Sequence, residues 1–217
     1  MRIQNAIFDL DGTLIDSMVI WRTLNADTIE ECTGLHLTPD ERQMCLQYPY
    51  FDAITRVRPE VAAKCDKDFI YKRNMERMAE NYLNGSIDLK PYAREYLLYL
   101  KEHDCGVALS TATPKHMCVP YLKIKGIYDL FDCIFTEDDV GQEKSNSPAI
   151  YDASLAFLGG TKESTAVFED AVFCIRTCKQ NGYYTVAVEN EATQKATLSE
   201  IKALADRFIH SYKEMMS

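Results

Sequence analysis

The chain reads as an α/β protein: a mostly parallel sheet with helices on both faces, plus an inserted all-helical block. Three observations carry this. From about residue 89 onward, short apolar runs that end in polar residues alternate with helical patterns, which is how βαβ units read. A similar apolar run, 3–8, stands alone near the N-terminus. Between the two, helical periodicity appears without a convincing strand. The expected division is a sheet-bearing core of 1–16 and 86–217, with 17–85 inserted in a loop at the carboxyl edge of the sheet, where open α/β sheets bind ligands.

The first strand stops at Asp9, and Leu10-Asp11-Gly12-Thr13 follow. Residues i and i+2 of a strand point to one side, so Asp9 and Asp11 project into the same space while Gly12 lets the chain turn. Two carboxylates that close repel each other unless a cation or a proton lies between them. The same residues also suit an Asx-type turn, with Asp11 or Thr13 capping the next helix.

In the insertion, Val19, Ile20, Leu24, Ile29 and Cys32 have helical spacing over 18–32, ended by Thr33-Gly34. Thr38-Pro39-Asp40-Glu41 opens a second helix, with Thr at the cap, Pro at the first position and acids in the first turn. A short helix is expected over 51–57, between Pro49 and Pro59, and one long helix over 60–83, stopped by Asn84-Gly85.

In the core, a helix over 91–102 places Tyr92, Tyr96, Leu97 and Leu100 on one face. Strands follow at 106–110, 133–135, 165–168 and 184–188, with a last short one at 207–209. Helices are expected at 114–123, 148–158, 172–180 and 198–204. No internal repeat or low-complexity segment is visible.

Composition narrows the function classes. The 217 residues are 47% hydrophobic and 26% charged, ordinary for a globular protein with a sizeable core. A formal net charge of −9 and the lack of a basic block argue against nucleic acid as partner. No apolar run approaches membrane-spanning length, and the opening run is too short for a signal peptide. The eight cysteines form no CxxC pair, and Cys174 and Cys178, one helical turn apart, read as packing. A cytoplasmic location with reduced thiols is the expectation.

Other strands end in polar groups that can meet Asp9 and Asp11. The second ends at Ser110-Thr111-Ala112-Thr113, the fourth at Glu169-Asp170, and Lys144 lies in the polar loop 141–147. Four carboxylates, a hydroxyl and an ammonium suit phosphoryl chemistry. A hard cation such as Mg2+ takes carboxylate oxygens, here from Asp9, Asp170 and Glu169, with the backbone carbonyl of Asp11. One carboxylate of the first pair can attack phosphorus, and the other can protonate the leaving alkoxide and later deprotonate water. Thr111 and Lys144 can hold the transferring phosphoryl oxygens. Each residue also has a plainer reading: Thr111 as a strand end or cap, Lys144 as a solvated loop lysine, Glu169-Asp170 as the cap of the next helix.

This ordered set resembles the haloacid dehalogenase superfamily in its phosphatase and phosphomutase branch. Asp9-Leu10-Asp11-Gly12-Thr13 is similar to the family's first motif and Leu109-Ser110-Thr111 to its second, with Ser110 the adjacent alternative. Lys144 before Pro148 matches the third at a spacing one residue longer than in many relatives, and Phe168-Glu169-Asp170 matches the fourth. The resemblance implies a Rossmann-like core with a helical cap, Mg2+ dependence, Asp9 as nucleophile and Asp11 as acid/base. It also implies a small phosphorylated metabolite, such as a sugar phosphate, as substrate. Where the related mutase carries a His shortly after the first motif, this chain has Trp21, which favours hydrolysis. The alternatives are a phosphomutase of the β-phosphoglucomutase type and a non-catalytic phosphate-binding protein on the same fold.

The cap is expected to choose the substrate, with the core committed to phosphate. Arg56 and Arg58 sit beside a Pro-limited turn and suit a second anionic group, or simply form a solvated helix end. Trp21, Tyr48, Tyr50 and Phe51 either line the pocket or fill the cap core. A monomer is compatible with all of this.

Overall fold

The computed structural model describes residues 3–47, 54–56, 58–191, 193 and 195–216. The chain divides into two compact units, one of Met1–Asp16 with Gly85–Ser217 and one of Ser17–Asn84.

The smaller unit is helical among its described residues. Its named helices are α1 (Met18–Thr33), α2 (Pro39–Gln47), α3 (Pro59–Lys64) and α4 (Lys67–Leu83), and residues 54–56 add a further helical stretch. Ala26, Ile29, Leu37, Cys45, Ile54, Val61 and Ile70 meet in one apolar core. Beside it, Thr28 Oγ1 donates to Asn74 Oδ1 at 2.7 Å and Asn74 donates to Asn25, so these buried polar groups are satisfied. The single helix expected over 60–83 is in fact two. Cys65 is extended at φ −151°, and the Asp66 side chain accepts from Phe69 N at 2.7 Å. An aspartate competes for backbone donors in this way, and here it restarts the helix as an N-cap. Of the helix expected over 51–57, residues 51–53 and 57 lie outside the described residues, as do Tyr48 and Tyr50.

In the larger unit, β1 (Asn5–Phe8), β2 (Gly106–Thr111), β3 (Cys133–Thr136), β4 (Thr165–Glu169), β5 (Tyr184–Val188) and β6 (Arg207–Ile209) form one sheet. Its order is β3-β2-β1-β4-β5-β6, and every neighbouring pair is parallel. The helices are α5 (Ala93–Glu102), α6 (Lys115–Ile124), α7 (Glu137–Val140), α8 (Ala149–Leu158), α9 (Val172–Gln180) and α10 (Lys195–Leu204). The chain builds outward from β1 through β2 to β3, then returns to the other side of β1 for β4. That reversal makes the carboxyl end of β1 a topological switch point.

Alternation along the strands explains both layers. Phe8 pairs in register with Phe168, and their rings stack at 4.5 Å beneath Tyr96 and Tyr212. On the other face, Ile7, Ala108 and Val167 pack with Ile150, Tyr151, Cys178 and Tyr183. Several boundaries differ from expectation. β1 begins at Asn5 rather than Ile3, α10 begins at Lys195 rather than 198, and the short α7 follows β3 directly. Tyr92 lies outside α5 in the left-handed region at φ 63° and is 43% exposed, so it does not share the buried face of Tyr96, Leu97 and Leu100.

Candidate active site

β1 lies between β2 and β4, so polar residues just past these three strands become neighbours. Asp9 N donates to Phe168 O at 3.0 Å, which carries the register one residue past β1 and sets Asp9 beside Glu169. Asp9, Glu169 and Asp170 are buried, and each offers a carboxylate oxygen within 4.8 Å of the others. Glu169 shares a strand face with Val167, where the Tyr151 hydroxyl donates to its Oε1 at 2.8 Å.

Lys144 bridges the set. Its Nζ donates to Asp9 Oδ1 and, at 2.7 Å, to Glu169 Oε1. The loop that carries it is pinned on two sides: Lys144 N donates to Glu137 Oε1 at 2.8 Å, and Thr177 Oγ1 donates to Ser145 O at 2.6 Å. These anchors let Lys144 reach the carboxylates despite its longer spacing from Pro148, and the residue is only 7% exposed.

Asp170 is held by other contacts. Thr13 Oγ1 donates to its Oδ1 at 3.3 Å, and Asn190 Nδ2 to its Oδ2 at 2.6 Å. Gly12 is required here. It takes φ +83°, and a Cβ at that position would lie 2.2 Å from Asp170 Oδ2. Asp11 accepts from the Thr113 hydroxyl, and Thr111 Oγ1 accepts from Thr113 N at 3.0 Å. The Asp11 carboxylate is therefore not among the three that cluster. Ser110 is turned elsewhere, its hydroxyl 2.8 Å from that of Ser154 and 3.5 Å from Ile150 O in the layer under α8.

The electrostatics follow from surplus buried negative charge. Burial pushes the Asp9 carboxyl well above the usual range; Lys144 opposes this, while Glu169, Asp170 and Asp11 add to it. Asp170 is pushed up to about 6 by burial and by Glu169, against Asn190 and Lys144. Burial disfavours the charged Lys144, but Asp9 and Glu169 hold its pKa well above the usual lysine value. The carboxyls rise chiefly because burial disfavours their charge, and the ammonium stays high because Asp9 and Glu169 face it. A hard divalent cation suits such a set, which supplies three buried oxygen donors and more negative charge than one lysine offsets. The residues present thus fit Mg2+.

Reasoning from sequence missed Tyr151 and Asn190, and it left Thr113 without a role in the polar run that ends the second strand. Asn190 lies just past β5, so the strand-end rule that found Asp9 and Asp170 extends to it. Thr113 lies two residues beyond Thr111. Tyr151 has no sequence signal distinct from a core aromatic.

In the smaller unit, Arg58 is committed to neighbours: Nε donates to Glu41 Oε1 at 2.6 Å, Nη2 to Glu41 Oε2 at 3.3 Å, and Nη1 to Glu60 Oε1 at 3.3 Å. Its ion pairs make it a brace within that unit. Arg56 is exposed and Trp21 half-buried.

Fold and site define an α/β protein with a buried acidic centre at the switch point of a parallel sheet. Residues 6–188 match the family described as haloacid dehalogenase-like hydrolase, and the chain belongs to that family. Among curated relatives, pyrophosphatase PpaX of Halalkalibacterium halodurans is 27% identical over 190 residues, covering 87% of this chain and 84% of its own. The phosphorylated carbohydrates phosphatase of Thermotoga maritima is 24% identical over 180 residues, covering 83% and 82%. Among solved structures, CbbY of Rhodobacter sphaeroides in complex with phosphate shares the fold with a TM-score of 0.73 at 23% identity, covering 98% of this chain and 96% of its own. Among the described residues, no helix is long and apolar enough to cross a membrane.

Proposed function

We propose that this chain is a Mg2+-dependent phosphatase for a small phosphomonoester, such as a sugar phosphate, acting through an aspartyl-phosphate on Asp9. The observation that carries the reading is the meeting of Asp9, Glu169, Asp170 and Lys144 in one buried cluster at adjacent strand ends. The family and the phosphatase names of the relatives support the reaction class.

A carboxylate oxygen of Asp9 attacks phosphorus, and the bond from phosphorus to the ester oxygen breaks. Asp11, oriented by Thr113, gives its proton to the departing alkoxide. Asp11 then takes a proton from water, which attacks the aspartyl-phosphate, releases inorganic phosphate and restores Asp9. Lys144 and the Thr111 hydroxyl stabilise charge on the transferring oxygens. Thr111 accepts from Thr113 N in a bond that does not use its own proton, and this favours it over Ser110. Asp9, Asp170 and Glu169, with the Asp11 carbonyl, would hold Mg2+. When bound, the metal offsets the negative charge of both the carboxylates and the phosphoryl group. The helical unit Ser17–Asn84 is read as the cap that selects the substrate.

The test is phosphate release from a panel of sugar phosphates, nucleotides and pyrophosphate, with Mg2+ and with chelator. Metal-dependent release concentrated on one ester is expected. Isomerised sugar phosphate without free phosphate would instead make the protein a mutase. Silence in both assays would overturn the enzymatic reading.

A further inference from the structure

Two thiols of the helical unit stand together although 33 positions separate them in sequence. Cys32 lies in the last turn of α1, and Cys65 follows α3 directly. Cys32 Sγ lies 4.0 Å from the carbonyl oxygen of Lys64, the residue bonded to Cys65. Lys64 Nζ donates to Thr33 O at 2.6 Å, tying the same two segments a second time. Both cysteines are half-buried, whereas Cys45, Cys118, Cys174 and Cys178 are buried. No disulfide joins any of the eight cysteines in this structure.

We propose that Cys32 and Cys65 form a reversible disulfide within the helical unit, made by exchange with a low-molecular-weight disulfide. Cys65 has left the helix and is extended at φ −151°, while its N–H closes α3 on Val61 O at 3.0 Å and its thiol lies 3.8 Å from the same oxygen. Turning the Cys65 side chain from Val61 O toward Cys32 is the movement that the narrow geometry of an S–S bond requires. The thiolate of Cys32 attacks one sulfur of the small disulfide, whose S–S bond breaks and releases one small thiolate. Cys65, as thiolate, then attacks the Cys32 sulfur, breaks the mixed disulfide and releases the second small thiolate. The two protons lost by the cysteines pass to those leaving groups, so two protein thiols are oxidised and one small disulfide is reduced to two thiols.

Burial first, then its hydrogen bond and charge coupling to Cys32, push the Cys65 thiol up to about 12. Both of the latter contributions vanish once Cys32 is in a mixed disulfide, so the second thiol becomes easier to ionise when it is needed.

The experiment treats the full chain with oxidised glutathione, blocks remaining thiols under denaturing conditions and maps the peptides. A Cys32–Cys65 linked pair is expected, with loss of two free thiols. The Tm of the helical unit should rise by about 5 °C or more, and dithiothreitol should reverse both changes. Cys65→Ser should instead retain glutathione on Cys32, because the resolving thiol is gone. Reduced wild type and Cys65→Ser should melt alike, which shows that the variant folds. A wild-type chain that keeps the glutathione adduct, forms its disulfide at another pair, or leaves both thiols unmodified would overturn the proposal.

Discussion

Asn190 reaches from just past β5 to donate its side-chain amide to Asp170 Oδ2 at 2.6 Å. Residues that orient a metal-binding carboxylate tune its affinity as well as its position. Asn190→Ala should therefore weaken Mg2+ binding about 10- to 100-fold. Calorimetric titration of the variant with Mg2+, beside a thermal melt of the metal-free form, separates this from a loss of fold. An affinity equal to wild type would remove Asn190 from the site.

Asp9→Asn keeps the size of the side chain and removes the carboxylate proposed as nucleophile. Lys144 retains Glu169 at 2.7 Å, and one like charge leaves a crowded cluster, so the melting temperature should stay near that of wild type. Turnover should fall by at least about 10³-fold. Full activity in a preparation free of contaminating phosphatase would show that another group attacks phosphorus.

Gly12→Ala tests the close approach at Asp170. The left-handed φ of +83° alone strains an alanine, by about 1–3 kcal/mol, and the added Cβ also overlaps Asp170 Oδ2. Both a lower Tm and weaker Mg2+ binding are expected. A variant that matches wild type in both would mean that the Asp9–Thr13 turn relaxes at little cost.

The first strand end was legible because alternation and a Gly turn are local signals; Glu169-Asp170 was legible as the acidic end of a short apolar strand. Lys144 was harder. Its distance from Pro148 is set by a loop whose anchors, Glu137 and Thr177, come from elements on either side. Asn190 and Thr113 stand at strand ends, but their bonds to Asp170 and Asp11 depend on which strands lie side by side, and this is tertiary information. The break at Cys65-Asp66 was hidden because the flanking residues keep helical spacing. Only the turn of Asp66 onto Phe69 N shows that one helix has ended and another begun.

Glu41 gives the helical unit a pH dependence of definite sign. It closes a capping box on α2, where Thr38 N donates to Oε2 at 2.7 Å and Glu41 N donates to Thr38 Oγ1 at 3.3 Å, and it accepts from Arg58 Nε at 2.6 Å. The Arg58 hydrogen bond first, and the Thr38 backbone second, lower its pKa to about 2. A carboxyl whose folded value lies below its unfolded value of about 4.3 stabilises the protein fully above that unfolded value. The contribution is lost as pH falls through the folded value. Glu41→Gln keeps the shape but not the charge, so it should destabilise the unit by about 1 kcal/mol near neutrality, the scale of a cap and a surface ion pair. Scanning calorimetry of wild type and variant should show the Tm gap narrowing between pH 5 and pH 2, as the wild-type carboxylate takes up its proton. A gap that stays constant over that range would mean that Glu41 acts through shape and hydrogen bonding alone, and that Arg58 stabilises the unit without its partner's charge.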